Sequence, residues 1–448
     1  MSRSHDELAS VDSFMAWLEP RHPDESEYHQ AVRGVVEHVL DTVREHETYR
    51  EHRILQRLTE PDRLISFRVV WEDDDGVPRI NRGYRVQHSN ALGPYKGGLR
   101  FDASVNPSVL KFLAFEQMFK NSLTGLDLGA GKGGSDFNPK GRSDAEVMRF
   151  CHAFMTELAR HIGQLTDVPA GDIGVGAREI GYLFGQYKRL ENQFAGALTG
   201  KAVGAGGSRL RSEATGYGAV YFLCAMLAED SKDIADQRVA ISGVGNVALH
   251  AAEKARSLGA VVTTLSNRSG TLFNEDGLTE QDIQTIKSGY DGDLSSMAES
   301  LSARWLEDQK PWSTRCDVAI PSATQNELDE DDAAQLIESG CGYVLEAANM
   351  PLTAEAGSRL DRESVAIAPG KAANAGGVAV SGFEMTQNRL GRSWSHDKLE
   401  ASLRETMSGI FARCKEAGEK DGRIDYRLGA DVAGFERVAR AVQSFGVM

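Results

Sequence analysis

The hydrophobic positions of this chain follow a helical period at the start and then alternate. Residues 5–58 place apolar side chains at helical spacing among Glu, His and Arg. The stretches 64–71 and 77–87 alternate apolar and polar residues on either side of an acidic turn. This alternation predicts a β-hairpin after an N-terminal group of helices.

Capping residues predict three further helices in the first half of the chain. Asn106 followed by Pro107 predicts a helix that runs to about Leu123. Ser143 and Glu146 form the pattern of a capping box, and a third helix is expected to start near Ala177.

From about residue 203 the pattern changes to short apolar strands that alternate with helices. This alternation is typical of βαβ units and a parallel sheet. The polar stretch 276–304 is predicted to be a surface insertion, and two amphipathic helices follow residue 396. We therefore predict an α/β fold, with an N-terminal α/β half and a Rossmann-type half. Its strands are predicted at 238–242, 260–265, 317–320, 343–346 and 364–368.

A glycine-rich turn follows the first of these strands and precedes a helix. Gly243, Gly245 and Ala248 match the dinucleotide-binding fingerprint, in which Ala can replace the third Gly. The first Gly makes the tight turn, and the second lets a pyrophosphate approach the helix N-terminus. We predict that Gly243, Gly245, Asn246 and Val247 bind a dinucleotide.

The end of the next strand indicates which dinucleotide is bound. An NAD site needs a carboxylate there for the ribose 2′-hydroxyl, but no Asp or Glu lies between Lys254 and Asn274. Ser266, Arg268 and Ser269 could instead bind a 2′-phosphate. The sequence therefore predicts NADP rather than NAD.

Charge and cysteine content exclude several classes of protein. The 448 residues carry a formal net charge of −15, which argues against a nucleic-acid binder or a basic membrane-surface protein. We see no signal peptide and no membrane-spanning run. The five cysteines are scattered, so they predict free thiols in the cytoplasm and no metal site.

Lysines are scarce in this chain and cluster in one segment. There are 15 lysines against 35 arginines, yet four of the lysines lie within the 37 residues from Lys96 to Lys132. This segment has five basic and three acidic residues, so its charge is opposite to that of the chain. Lys96 and Lys132 lie among glycines, where a ligand can come close. A phosphate loop is a poor alternative because Gly133 replaces the Ser or Thr after its lysine.

These lysines suit both the binding of a carboxylate and the transfer of a proton. Gln117 and Lys120 are three residues apart on the predicted helix, so together they could hold a carboxylate. A buried lysine among other cations can act as an acid or a base. Asp172, in a glycine-rich loop, is a candidate partner. The alternatives are that Asp172 caps the helix near Ala177 and that the lysines are simply exposed.

Taken together, the motifs resemble the glutamate dehydrogenase family, specifically its hexameric NADP-type members. The resemblance covers nearly the whole chain, at 27–32, 81–87, 93–98, 115–121, 131–136, 169–176, 213–218, 321–327, 347–351, 368–378 and 429–435. The chain departs from the family pattern at Ala130, Ala177, Arg209 and the Asn267-Arg268 pair.

The resemblance implies a role for each matching residue. Lys132 would be the catalytic lysine, and Asp172 would pass protons. The α-carboxylate would be held by Gln117, Lys120 and Gly171, and the γ-carboxylate by Lys96 and Ser381, with Val378 packed nearby. Thr215, Asn246 and Asn349 would contact the coenzyme.

The resemblance also implies a division into domains and a set of partners. Residues 1–202 and 424–448 would form a substrate-binding and assembly domain, and residues 203–423 the Rossmann-type domain. The expected partners are L-glutamate, 2-oxoglutarate, ammonium and further copies of the chain in a homohexamer.

Two other functions fit the sequence less well. A leucine- or phenylalanine-type dehydrogenase would line the distal pocket with apolar residues, whereas Lys96 and Ser381 are polar. A catalytically inactive paralogue would have no physical reason to keep the costly lysine cluster.

Overall fold

The computed structural model describes residues 7–446, which form sixteen helices and fourteen strands. The helices are α1 (Val11–Leu18), α2 (Ser26–Glu45), α3 (Glu47–Glu51), α4 (Ile54–Leu58), α5 (Pro107–Leu123), α6 (Asp144–Leu158), α7 (Ala177–Glu191), α8 (Ala214–Glu229), α9 (Asn246–Ser257), α10 (Glu280–Gly289), α11 (Glu330–Ser339), α12 (Ala354–Arg362), α13 (Gly370–Ala373), α14 (Gly376–Leu390), α15 (His396–Gly418) and α16 (Tyr426–Ser444). The strands are β1 (Arg63–Glu72), β2 (Pro78–Ser89), β3 (Tyr95–Phe101), β4 (Ala130–Ser135), β5 (Asp167–Gly171), β6 (Arg238–Ile241), β7 (Val261–Asn267), β8 (Gly270–Phe273), β9 (Arg304–Glu307), β10 (Val318–Ile320), β11 (Tyr343–Leu345), β12 (Ala366–Ala368), β13 (Glu419–Lys420) and β14 (Arg423–Ile424).

The described residues divide into two units, each built around one large sheet. The first unit contains the described residues up to Arg209, the segment Val380–His396 and the chain from Asp431 onward. The second contains Leu210–Ala379 and Asp397–Ala430. The predicted α/β fold class, with an N-terminal α/β part and a Rossmann-type part, is confirmed.

The sheet of the first unit has the order β1-β2-β4-β3-β5 and is mixed. The predicted hairpin is its antiparallel edge, β1 with β2. Strand β3 runs parallel to β4 on one side and to β5 on the other, so their carboxyl ends meet at one edge. Separate apolar cores involve the helices α1–α5 with α16 and the pair α6 with α7.

The second unit contains a seven-stranded sheet with the order β12-β11-β10-β6-β7-β8-β9. Strands β6, β7, β10, β11 and β12 are parallel, and β8 and β9 extend the sheet as antiparallel strands. The chain crosses over between β6 and β10, which is the place where such folds bind nucleotides. The sequence pattern did not predict strands β8 and β9. The stretch 276–304, which was predicted to be a surface insertion, contains α10.

The capping predictions hold in the first unit. Asn106 accepts a hydrogen bond from the Val109 amide at the start of α5, and Ser143 forms the capping box of α6 with Glu146. Helix α7 begins at Ala177, as predicted, but its N-cap is Gly176. Asp172 therefore does not cap this helix, and its side chain is available for another role.

The segment 380–396 lies in a different unit from the one that the sequence predicted. The prediction placed it in the Rossmann-type domain, whereas the structure groups Val380–His396 with the first unit. Hydrogen bonds explain this position, because the Gln387 amide donates to the Ser208 hydroxyl and the Asn388 amide donates to the Gly206 carbonyl. These long-range polar contacts leave no signal in local periodicity.

The described residues were also compared with the requirements of a membrane-spanning helix and of a metal site. None of the helices within residues 7–446 combines the length and apolar character that a membrane crossing requires. The five cysteines are free thiols, and the described part of the chain holds no cluster of three His, Cys, Asp or Glu side chains that could bind a metal.

Candidate active site

A group of three charges, largely shielded from water, lies at the carboxyl edge of the first sheet. The Lys132 Nζ lies 3.1 Å from Oδ2 of Asp172, and the Arg100 Nε donates to the same oxygen at 2.9 Å. The three side chains are between 8% and 18% exposed. One carboxylate oxygen therefore accepts from two cations in a site with little access to water.

Three neighbouring strands supply this group. Arg100 lies on β3 and Lys132 on β4, while Asp172 directly follows β5. Close packing requires glycine on β3, since a Cβ at Gly98 would lie 2.8 Å from the Cβ of Asp172. A Cβ at Gly97 would lie only 1.7 Å from the Gly131 carbonyl oxygen. The glycines around the lysines thus allow strands and side chains to approach closely.

The surroundings shift the pKa of both reactive groups. Burial lowers the pKa of the Lys132 ammonium; the Asp172 carboxylate opposes this shift, and the charge of Arg100 adds to it. Burial alone would raise the pKa of Asp172, but Lys132 and Arg100 together hold that pKa below its ordinary value. A lysine of lowered pKa beside an ionised carboxylate is suited to proton transfer.

Helix α5 holds the neighbouring polar side chains in place. Asn121 is fully buried and donates to the carbonyl oxygens of Lys96 at 3.1 Å and Gly129 at 2.6 Å. Its side-chain oxygen accepts from the Gln117 amide at 2.7 Å. Asn121 thus joins α5 to the strand of Lys96 and orients Gln117. Lys120, one turn along from Gln117, is partly exposed.

The structure separates the fourth clustered lysine from the others. The Lys111 Nζ lies 2.8 Å from Oε1 of Glu25 and 3.2 Å from Nδ1 of His22. The other substrate-site candidates in this unit are Gly171, the last residue of β5, and Ser381, which is 2% exposed on α14. Val378 falls within the second unit.

Two arginines near the site received no role from the sequence. Arg100 lies in the lysine-rich segment, and Arg85 lies within the predicted hairpin. Arg85 is fully buried and pairs with Asp167, with Nε 2.9 Å from Oδ2, and it also donates to the Gly97 carbonyl at 3.1 Å. Gln87, two residues along the same strand, also donates to Asp167.

The second unit contains the predicted dinucleotide loop between β6 and α9. Gly243 has a φ of +85°, a conformation that favours glycine. Gly245 is exposed and is the N-cap of α9, so the helix N-terminus is open to an anion. The Asn246 side chain donates to the Ser212 carbonyl at 2.6 Å, which joins this loop to the segment that precedes α8.

The side chains that are predicted to determine selectivity for NADP over NAD differ in their exposure to solvent. The Ser266 hydroxyl is buried and accepts from the Gly243 amide at 3.1 Å, so it supports the glycine loop. Arg268 is exposed in the turn between β7 and β8, beside Asn267, whose oxygen accepts from the Ser269 amide. No carboxylate lies in this turn.

The other coenzyme candidates lie on the same unit. Val247 follows Asn246 in the first turn of α9, and Thr215 lies in the first turn of α8. Asn349 lies after β11, and its side-chain oxygen accepts from the Asn374 amide at 3.0 Å.

Comparison with known families identifies the family of the chain. Residues 206–446 match the model "Glutamate/Leucine/Phenylalanine/Valine dehydrogenase", and residues 61–189 match "Glu/Leu/Phe/Val dehydrogenase, dimerisation domain". The chain belongs to this dehydrogenase family. The resemblance derived from the motifs is thereby confirmed.

Relatives within the family match along their full length. The NADP-specific glutamate dehydrogenase of Psychrobacter sp. (strain TAD1) is 50% identical over 98% of this chain and 100% of its own. The NAD-specific glutamate dehydrogenase of Bacteroides fragilis is 49% identical over the same shares. A solved structure of Plasmodium falciparum glutamate dehydrogenase is 45% identical, with a TM-score of 0.95 over 100% of this chain and 97% of that one.

Proposed function

We propose that this dehydrogenase is an NADP-dependent glutamate dehydrogenase. It oxidatively deaminates L-glutamate to 2-oxoglutarate and ammonia, and it catalyses the reductive amination in reverse. The observation that carries the proposal is the buried Lys132–Asp172 pair, 3.1 Å apart beside Arg100. The proposal is also supported by NADP-specific glutamate dehydrogenases that are about 50% identical to this chain along their full length.

Substrate binding follows from the lysines around this pair. A dicarboxylate carries a negative charge at each end, so it needs cationic or polar partners at both ends of its pocket. We assign the α-carboxylate to Gln117, Lys120 and the backbone at Gly171, and the γ-carboxylate to Lys96 and Ser381, with Val378 packed nearby. Lys96 is 1% exposed, so water screens its charge only weakly.

Proton transfer is the task of Lys132 and Asp172. In glutamate oxidation the substrate passes through an iminium, and water adds to its carbon. Lys132 in its neutral form accepts the proton that this water loses, and the ionised Asp172 relays this proton from the Lys132 ammonium to the departing amine. In the reverse direction the same groups help water to leave after ammonia has added to the ketone.

The residues of the second unit fit a dinucleotide. The positive φ of Gly243 and the open N-terminus of α9 suit a pyrophosphate. We propose that Gly243, Gly245, Asn246 and Val247 hold it, and that Thr215 and Asn349 contact the coenzyme near its reactive end. Bound NADP supplies the hydride acceptor.

We assign the preference for NADP to Arg268, with Ser266 supporting the loop. An exposed guanidinium can pair with a 2′-phosphate, and the turn has no carboxylate to repel it. NAD-specific relatives of similar identity also exist, so the overall sequence identity does not by itself set the coenzyme preference.

The proposed function is tested by steady-state rates of glutamate oxidation with each coenzyme. We expect kcat/KM with NADP to exceed that with NAD by about tenfold or more, because one charge-assisted pair is worth roughly 1.5 kcal/mol. Arg268→Gln should remove most of this preference, while the rate with NAD should change little. No turnover of glutamate with either coenzyme would refute the function, and a clear preference for NAD would refute the role of Arg268.

A pH profile tests the role of Arg100 beside the reacting pair. In glutamate oxidation Lys132 must lose its proton before it can accept one, so the rate rises with pH through the pKa of Lys132. The charge of Arg100 lowers this pKa. In Arg100→Gln the pKa of Lys132 should rise, and the rising limb of kcat/KM should move to higher pH. Arg100→Lys keeps the charge and should leave the limb closer to its original position; an unmoved limb in Arg100→Gln would contradict the assignment.

We also propose that the chain assembles as a homohexamer in the cytoplasm. The match to a dimerisation domain and the exposed apolar Val70 and Ile80 on β1 and β2 support self-association. The five free thiols favour a reducing compartment. Light scattering in solution tests the hexamer, and a stable monomer would refute it.

A further inference from the structure

A buried ion pair joins helix α14 to the loop that follows α7. Glu384 on α14 is fully buried, and its Oε1 lies 2.6 Å from the Lys201 Nζ, whose side chain is 2% exposed. The other oxygen of Glu384 accepts from the Gly200 amide at 3.0 Å, and the Lys201 ammonium also donates to the Leu198 carbonyl. Each charged group therefore has several partners inside the first unit.

Burying such a pair carries a large desolvation free energy. Moving both charges out of water costs about as much as their attraction returns, so a buried pair is weak evidence for stability. Its physical effect is on geometry, because ion pairs and charge-assisted hydrogen bonds require defined distances and directions. The Lys201–Glu384 pair thus fixes one position of α14 relative to the loop 198–201.

The same helix face carries a proposed substrate residue. Ser381 precedes Glu384 by three residues, so the two side chains lie on one face of α14. Ser381 is 2% exposed, within one helical turn of the pair. A shift or rotation of α14 at Glu384 therefore moves the Ser381 hydroxyl.

The loop is joined in turn to the strand beside Lys96. The Thr199 amide donates to the Pro169 carbonyl of β5 at 3.0 Å. In the register between β3 and β5, Pro169 lies opposite Gly97, and Val168 lies opposite Lys96. The loop therefore has α14 with Ser381 on one side and the strand pair with Lys96 on the other.

We propose that Lys201 and Glu384 are positioning residues that set the spacing between Ser381 and Lys96 and so determine selectivity for a substrate with a distal carboxylate. The inference rests on the proposed function, since both ends of this connection belong to the proposed γ-carboxylate site. Neither Lys201 nor Glu384 takes part in proton transfer. Their loss changes which substrate is accepted and leaves the chemical step in place.

The test compares L-glutamate with L-norvaline, which has a methyl group in place of the γ-carboxylate. Glu384→Gln removes the charge that holds Lys201 but keeps the shape of the side chain. We expect the ratio of kcat/KM for glutamate to that for norvaline to fall about tenfold, as for the loss of one charged hydrogen bond. The change should come from a higher KM for glutamate, with kcat for norvaline close to that of the parent protein.

A matched control separates this effect from a general loss of stability. Asp431 is a buried carboxylate in the same unit, and its Oδ2 lies 2.6 Å from Nδ1 of His38. Asp431→Asn removes a buried carboxylate that is hydrogen-bonded outside α14, to a partly exposed histidine on α2, so it should leave the substrate ratio unchanged. An equal fall of the ratio in Asp431→Asn would overturn the inference, because the effect would then be general.

A second variant covers the case in which Glu384→Gln does not fold. Replacing both partners, as Lys201→Met with Glu384→Met, leaves no unpaired buried charge, and such exchanges often preserve stability. The same fall in the substrate ratio is expected, and an unchanged ratio in a folded variant would overturn the inference. If the parent protein does not turn over glutamate at all, the proposed function itself fails, which is a distinguishable result.

Discussion

Replacing Lys132 by Ala should lower kcat for glutamate oxidation by about a thousandfold or more while the protein stays folded. The neutral lysine is the group that accepts the proton of the attacking water, and its Nζ lies 3.1 Å from Oδ2 of Asp172. The Asp172 carboxylate keeps its hydrogen bond to Arg100 in this variant. The site should therefore lose its proton carrier and retain its shape. Initial rates with glutamate and NADP measure this effect.

A lysine from the same part of the chain provides the control. Lys140 is exposed and lies eight residues beyond Lys132, so Lys140→Ala should leave kcat close to that of the parent protein. Thermal unfolding of both variants shows whether either change affects stability. Near-normal turnover in Lys132→Ala would rule out the proposed role of this lysine.

Replacing Lys96 by Leu should change substrate selectivity rather than the chemical step. We expect kcat/KM for L-glutamate to fall about a hundredfold, because a buried charged hydrogen bond is worth roughly 2–3 kcal/mol. Leu keeps much of the volume of the buried lysine stem, so the pocket should stay filled. L-Norvaline has no γ-carboxylate, and its kcat/KM should change by less than about tenfold. Steady-state rates with both amino acids give the comparison.

The outcome for norvaline decides what Lys96 does. If both substrates lost activity to the same extent, Lys96 would be needed for the fold or for the α-carboxylate. A fall confined to glutamate supports its assignment to the distal carboxylate and speaks against a leucine-type dehydrogenase.

Much of this site could be predicted because its signals are local. Capping at Asn106 and Ser143, the hairpin period and the strand–turn–helix around Gly243 each depend on a few neighbouring residues, and the structure contains all of them. The unusual concentration of lysines among glycines, with Asp172 in a glycine-rich loop, indicates a pair that the structure places 3.1 Å apart, Lys132 with Asp172.

Other features depended on contacts between distant parts of the chain. Nothing in the local sequence distinguishes Arg100 from an exposed charge, and only the register of β3 and β5 places it 2.9 Å from Asp172. Lys111 belonged to the same cluster in sequence, but α2 and α5 pack so that it pairs with Glu25. The Lys201–Glu384 pair joins residues 183 positions apart, and no spacing rule could have found it.

The central claim is that Lys132 carries protons while Lys96 binds the distal carboxylate. It is tested most directly by measuring, in the same two variants, kcat and the dissociation constant of 2-oxoglutarate. We predict that Lys132→Ala loses kcat by about a thousandfold but still binds 2-oxoglutarate, whereas Lys96→Leu binds it about a hundredfold more weakly but keeps most of its kcat. Equal losses of kcat and of binding in both variants would contradict the claim.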